Sequence, residues 1–177
     1  MSRNAQNGRL CLTTRVSPPS SSIVSMMGRV NLVLIDAVEL SADGRVRLTD
    51  DRATHVSAVL RAAPGETVRI GRIDGPVGVG TITAIDTEAV TLACTFEALT
   101  PPRPRVDVLL ALPRPKVMRR LWAQLAALGV GQVILTNAEK VERDYFDSHV
   151  LQPEGYRPLL LEGLQQAKDT RVPVVSI

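Results

Sequence analysis

The sequence predicts a chain of class α/β and β: a small β-barrel or rolled sheet, followed by the opening of a parallel α/β sheet. Three observations predict it. Residues 30–96 alternate short β-type runs with turn chemistry. "EALTPPRPRV" (97–106) packs three prolines and two arginines into ten residues, a stiff connection at a domain boundary. Beyond it, apolar runs alternate with stretches at helical spacing, the grammar of strand–helix–strand units.

Residues 1–28 are rich in Ser, Arg and Asn, lack acids and hold no apolar core long enough for a secretory signal. They read as a disordered extension, with Met26 or Met27 as an alternative start. The barrel is assigned to 29–100. It opens with "VNLVLI", turns at "SADG" and continues in "RVRLT". Thr49 or Asp50 then caps a helix in which Ala53, Val56, Val59 and Leu60 recur at helical spacing, ended by Pro64-Gly65. Three strands follow, "TVRIGRI", "VGVGTITAI" and "AVTLACTF", separated by turns at Asp74-Gly75 and Asp86 to Glu88.

After a linker at 101–104, the second part runs from 105 to 177. "VDVLLAL" is a continuous apolar run of the kind buried on both faces. "KVMRRLWAQLAALGV" places Met118, Leu121, Trp122, Leu125 and Leu128 on one side of a helix that ends at Gly129. "QVILTN" is a second buried strand, "PEGYRPLLLEGLQQAKD" a second helix and "RVPVVSI" a third strand. Three strands and two helices rarely close such a sheet, so Val174, Val175, Ile177 and the faces of Leu109 and Ile134 are expected to lack cover.

Composition excludes little but points somewhere. An apolar share of 45% is ordinary for a globular chain. No apolar run approaches the ~20 residues that cross a bilayer. Cys11 and Cys94 have neither zinc nor disulfide spacing and read as free thiols in a reducing cytoplasm. The charge is uneven: residues 1–28 carry three Arg and no acid, 29–102 seven bases against ten acids, and 103–177 eleven bases against eight acids. That excess fits a polyanion partner, and equally a solvated surface.

The informative motif is "LALPRPKVMRR". A helix N-terminus already carries about half a positive charge, so Lys116, Arg119 and Arg120 oppose it unless an anion sits there. RNA phosphate is the favoured anion; solvated arginines are the alternative. "GPVGVG" (75–80) lies between strand-like runs with no helix to follow, and reads as a tight turn with a bulge rather than a phosphate loop. His55 and His149 lack partners for a metal site or a triad. Tyr145 and Phe146 either stack on a base or cap a hydrophobic edge. Asp107 reads as a strand-end ion pair with Arg105.

Together "HVSAVLRAAPGETVRIG" (55–71), "LALPRPKVMRRLWAQLAALGV" (110–130), "NAEKVERDYF" (137–146) and "LQQAKDTRVPVV" (164–175) resemble the bacterial 16S ribosomal RNA methyltransferases that modify the ring N3 of a uridine, members of the knotted SPOUT superfamily. The resemblance implies a PUA-like RNA-binding barrel and an incomplete SPOUT domain that lacks its C-terminal knot. It also implies S-adenosylmethionine as methyl donor, small-subunit rRNA as substrate and a homodimer. RNA-facing roles carry over to Arg61, Arg114, Lys116, Lys140 and Arg171, beside Arg119 and Arg120 from the helix argument. The family's Gly-Pro-Glu-Gly-Gly cofactor loop is expected beyond Ile177, so no cofactor-binding residue, catalytic residue or metal ligand is assigned. Ala127 and Gln165 stand where the family usually has Glu, and Lys140 where Arg is common. The competing reading is a non-catalytic RNA-binding module, and a weaker one is an unrelated α/β protein whose basic helix serves a small phosphate ligand.

Overall fold

The computed structural model describes residues 32–59 and 63–177. Expectations placed on residues 1–31, on Leu60 and on Arg61 lie outside the described residues. No helix among those described is long and apolar enough to cross a membrane.

The first half forms one mixed sheet. Strands β1 (Val33–Ile35), β2 (Arg45–Leu48), β3 (Thr67–Arg72), β4 (Val77–Ile85) and β5 (Val90–Phe96) lie in the order β1-β3-β4-β5-β2. β3, β4 and β5 are an antiparallel meander, β2 runs antiparallel to β5, and β1 runs parallel to β3. The sheet curls around its own core of Ile35, Val46, Leu48, Val56, Ile70, Ile82 and Leu92. Alternation sets this inside face: in β2, Val46 and Leu48 are buried while Arg45 and Arg47 are exposed.

The turns use the chemistry expected of them. Gly44 takes φ 73 after Ser41, and the Asp86 carboxylate accepts from the N–H groups of Glu88 and Ala89. The bulge falls in β4 between Ile82 and Ala84, six residues past the Gly75-Pro76 turn, so the turn of "GPVGVG" is present and its bulge is not.

Helix α1 (Asp51–Thr54) is capped by Asp50, whose side chain accepts from the Arg52 N–H, and continues as a π-turn over His55–Val59. The 3-10 turn Ala37–Glu39 was not anticipated, although Asp36 followed three residues later by Glu39 is the pattern of the capping box they form. Arg52 ties these pieces together. It donates to the Leu34 carbonyl at 2.7 Å and pairs with Glu39 and Asp50. Those pairings hold both carboxyls below their ordinary range and the guanidinium above its own, with the Arg52 hydrogen bonds the leading cause for the acids.

The second half is a parallel sheet, β6 (Asp107–Ala111), β7 (Gln132–Thr136) and β8 (Val174–Ser176), in the order β6-β7-β8. Two helices connect the strands: α2 (Pro115–Ala127) and α3 (Pro153–Ala167). Both connections step in the same direction across the sheet. Right-handed crossovers that do so put both helices on one face. Val108, Leu110, Val133, Leu135 and Val175 share the core with α2 and α3, whereas Leu109 on the opposite face is 70% exposed.

This corrects the expectation that the first strand is buried on both faces. Its continuous apolar run could not reveal that cover comes from one side only. Exposed Leu109, Val174 and Ile177 agree with the expected lack of cover, whereas Val175, on the side of the strands that the helices cover, packs against the second core and Ile134 is half-buried.

In α2, Met118, Trp122 and Ala126 are fully buried at i, i+4, i+8, with Leu121 and Leu125 partly so. Leu128 is not on that face: it caps the helix C-terminus and is exposed, because Gly129 at φ 74 turns the chain away. The Trp122 indole donates to the Val150 carbonyl at 3.0 Å and lies 5.1 Å from the Tyr156 ring.

Strand β1 belongs to both cores. Val33 and Ile35 face the curled sheet, while Leu32 and Leu34 face α3 and the second core. A period of two therefore joins the halves.

Candidate functional site

The carboxyl ends of β6 and β7 are level, with Ala111 opposite Thr136 and the Leu112 N–H donating to the Thr136 carbonyl at 3.0 Å. The chain leaves β6 into the N-terminus of α2 and leaves β7 into the loop that carries Lys140. One edge of the sheet thus holds Arg114, Lys116 and Lys140, all exposed. Arg119 and Arg120, one turn further along α2, are exposed as well. Among the described residues no carboxylate lies within 4 Å of any of these five cations. Open α/β sheets bind ligands at this edge.

Like α3, α2 starts on a proline with no side-chain cap, but of the two it alone has no acid in its first turn. Asp36, Asp50 and Ser148 each cap a helical turn with a side-chain oxygen, and α3 opens with Glu154. At α2 the N-cap is Arg114, which makes no capping hydrogen bond, and no acid stands in the first turn. Pro115 has no N–H, and the Val117 N–H bonds the Arg114 carbonyl at 2.8 Å. The free backbone donor of the first turn is therefore that of Lys116, fewer than the sequence argument assumed.

Other predicted residues behave differently. Arg171 does not stand free: its Nε donates to the Pro101 carbonyl at 2.6 Å and its Nη1 to the Asp74 carbonyl at 2.8 Å. Tyr145 and Phe146 pack against the second core, and the Tyr145 hydroxyl donates to Glu142 at 2.9 Å, which fits the edge-capping reading. Asp107 is exposed and makes no ion pair with Arg105 among the described residues, correcting the expected strand-end pair. Sequence reasoning missed the contacts of Asp74, Arg103 and Thr170 at the junction of the halves. No local signal marks them, since the partners are 29 to 98 residues apart.

Two cavities among the described residues lie away from the cationic edge. The larger, about 610 Å³, lies between the curled sheet and α3, with Asp36, Asp51, Arg157 and Glu162 on its walls. The smaller, about 360 Å³, is lined by Thr49, Thr54, Ser57 and the 86–90 turn.

Residues 100–177 match the family model described as an RNA methyltransferase domain. The chain resembles the small-subunit ribosomal RNA methyltransferase E family. It is 30% identical over 156 residues to the Ribosomal RNA small subunit methyltransferase E of Treponema pallidum, a match covering 84% of this chain and 56% of that protein.

Two solved structures share its fold. The probable rRNA-methyltransferase of Porphyromonas gingivalis aligns with TM-score 0.63 and 22% identity, covering 82% of this chain and 59% of that one. The Ribosomal RNA small subunit methyltransferase E of Neisseria gonorrhoeae, bound to S-adenosyl methionine, aligns with TM-score 0.61 and 16% identity, covering 81% and 60%. The chain therefore spans less than two thirds of each relative.

Proposed function

We propose that this chain is the RNA-gripping portion of an S-adenosylmethionine-dependent methyltransferase that modifies the ring N3 of a uridine in small-subunit rRNA. In that reading the curled sheet is a PUA-like RNA-binding unit over 29–100, joined by 101–104 to the first part of a knotted methyltransferase domain. The single observation that carries it is the inverted start of α2. An uncapped helix N-terminus with Arg114 and Lys116 in place of acids is unfavourable alone and favourable against phosphate. Arg119, Arg120 and Lys140 widen the same cationic edge, and Arg61, outside the described residues, is given an RNA-facing role in the first half by the resemblance alone.

The cofactor does not fit the residues described. S-adenosylmethionine is a sulfonium cation with an adenosine to enclose; the edge where ligands of such sheets bind is open and cationic, and neither cavity opens onto it. No step of methyl transfer is assigned to a residue of this chain. Methylation at N3 needs the acceptor nitrogen deprotonated and held in line with the donor carbon, an orientation that neither of the two cavities described supplies at the cationic edge. The 177-residue chain alone holds RNA and transfers no methyl group.

Two measurements test this. Binding of a small-subunit rRNA fragment should weaken steeply with salt, log affinity falling linearly with log salt concentration. No binding at low salt rejects the RNA-gripping role. Labelled S-adenosylmethionine with immature small-subunit particles should give no incorporation above a no-enzyme control; incorporation rejects the claim of inactivity. The same open cationic edge also supports a non-catalytic RNA-binding module.

A further inference from the structure

The turn between β3 and β4 meets the loop before β8 at a junction the RNA-binding reading does not use. Asp74 sits there at φ 54, a left-handed conformation that turns its whole backbone toward the loop. Its N–H donates to the Thr170 carbonyl at 2.8 Å, and its carbonyl accepts from Arg171 at 2.8 Å. Its carboxylate accepts from the Val172 N–H and from Arg103, each at 3.3 Å.

Thr170 has no solvent exposure, and its hydroxyl donates to the Gly75 carbonyl at 2.7 Å. There is no slack around it: a Cβ on Gly71 would lie 2.5 Å from the Thr170 methyl. Arg171 adds the linker through the Pro101 carbonyl, so turn, linker and loop close on one another. Burying the Thr170 hydroxyl on a backbone carbonyl is favourable only while that bond is made, and the partly exposed Arg171 bonds hold the carbonyls around it in place.

We propose that Thr170 is a positioning residue: with Asp74 and Arg171 it latches the curled sheet to the three-stranded sheet, so that a single RNA is gripped by both at fixed spacing. The proposal rests on the RNA-binding reading. Held rigidly, the second contact of a long RNA forms at high effective concentration. If the latch opens, that advantage falls, while RNA short enough to touch one unit is unaffected. Arg171 then acts through carbonyls rather than on phosphate.

The test uses the full chain with Thr170→Val, which removes the hydroxyl from a buried site and changes no charge, and Thr170→Ser, which keeps the donor. Spin labels at exposed Glu88 and Gln124, each changed to Cys with Cys11 and Cys94 replaced by Ser, report the spacing of the halves. The parent and Thr170→Ser should give one narrow distance distribution, and Thr170→Val a broad one. A long oligouridylate should bind Thr170→Val about tenfold more weakly than parent, with a short one unchanged. An unchanged distance distribution, or equal weakening for both RNAs, overturns the latch. If the parent binds neither RNA, the RNA-binding reading falls instead. The spin-label distances then decide the latch alone.

Discussion

Replacing Gly163 by Ala separates close helix packing from helix propensity, because the two push stability in opposite directions. Gly163 is buried on α3 where it crosses α2, and a Cβ there would lie 2.1 Å from the Ala123 carbonyl oxygen and 2.8 Å from the Ala123 carbonyl carbon. A carbon meets an oxygen comfortably at roughly 3.3 Å, so the helices must part by about 1.2 Å. The obstacle is backbone, which has no rotamer to change.

A gap of that size forfeits about a quarter to a half of each dispersion contact around it. Leu160, Leu164, Met118 and Trp122 are the core side chains that would lose those contacts. Overpacking of this kind costs about 3 kcal/mol, the upper end of its usual range. Alanine recovers about 1 kcal/mol as the better helix former. The net loss is about 2 kcal/mol, which for a chain of this length lowers the melting midpoint by about 4–8 °C.

Thermal melting followed by circular dichroism reads it, and Ala123→Gly in the same background should not rescue, since the clash is with a carbonyl rather than a methyl. If Gly163→Ala melts at or above the parent temperature, propensity has won and the close approach of α2 and α3 is not as described.

Neutralising the start of α2 should have two effects of opposite sign: Lys116→Gln raises stability without RNA by about 0.3–1 kcal/mol, and lowers the salt slope of single-stranded RNA binding by about 0.7. Paired urea melts and salt titrations check it, and a loss of both stability and slope would contradict the dipole argument. Acid should selectively weaken the Arg52 cluster. The folded-state values of Glu39 and Asp50 lie below their unfolded ones, so their contribution is full above the ordinary carboxylate range and is lost as pH falls through the lowered values. The stability gap between parent and Glu39→Gln should therefore narrow between about pH 6 and about pH 3; a gap that widens refutes the assigned sign. Trp122→Phe leaves the Val150 carbonyl without its donor in a buried site and should destabilise by about 1–3 kcal/mol, read by urea denaturation.

What the sequence disclosed was whatever is written within a few residues. The strands after Val33, the Asp50 cap, the Asp86 turn and the left-handed Gly129 are all decided by neighbours in the chain, and each falls where its residue types require. The cationic start of α2 was legible for the same reason, as a charge in the wrong place on a helix.

Three-dimensional choices were not legible. "VDVLLAL" has the same letters whether one face or two is covered; the bare face of Leu109 was expected from the small number of strands and helices, but which side the helices would cover was not written in the run itself. Arg171 and Lys140 could not be told apart in sequence, both being basic residues in polar stretches. In the structure one is held by the carbonyls of Pro101 and Asp74, and the other stands exposed at the sheet edge. Two of the five N–H donors of Arg171 are already engaged by carbonyls of the chain, which fixes the direction of the guanidinium and leaves fewer for phosphate. Under the proposed function the first cations to test against RNA are therefore Arg114, Lys116, Arg119, Arg120 and Lys140, which stand exposed with no carboxylate within 4 Å among the described residues, rather than Arg171.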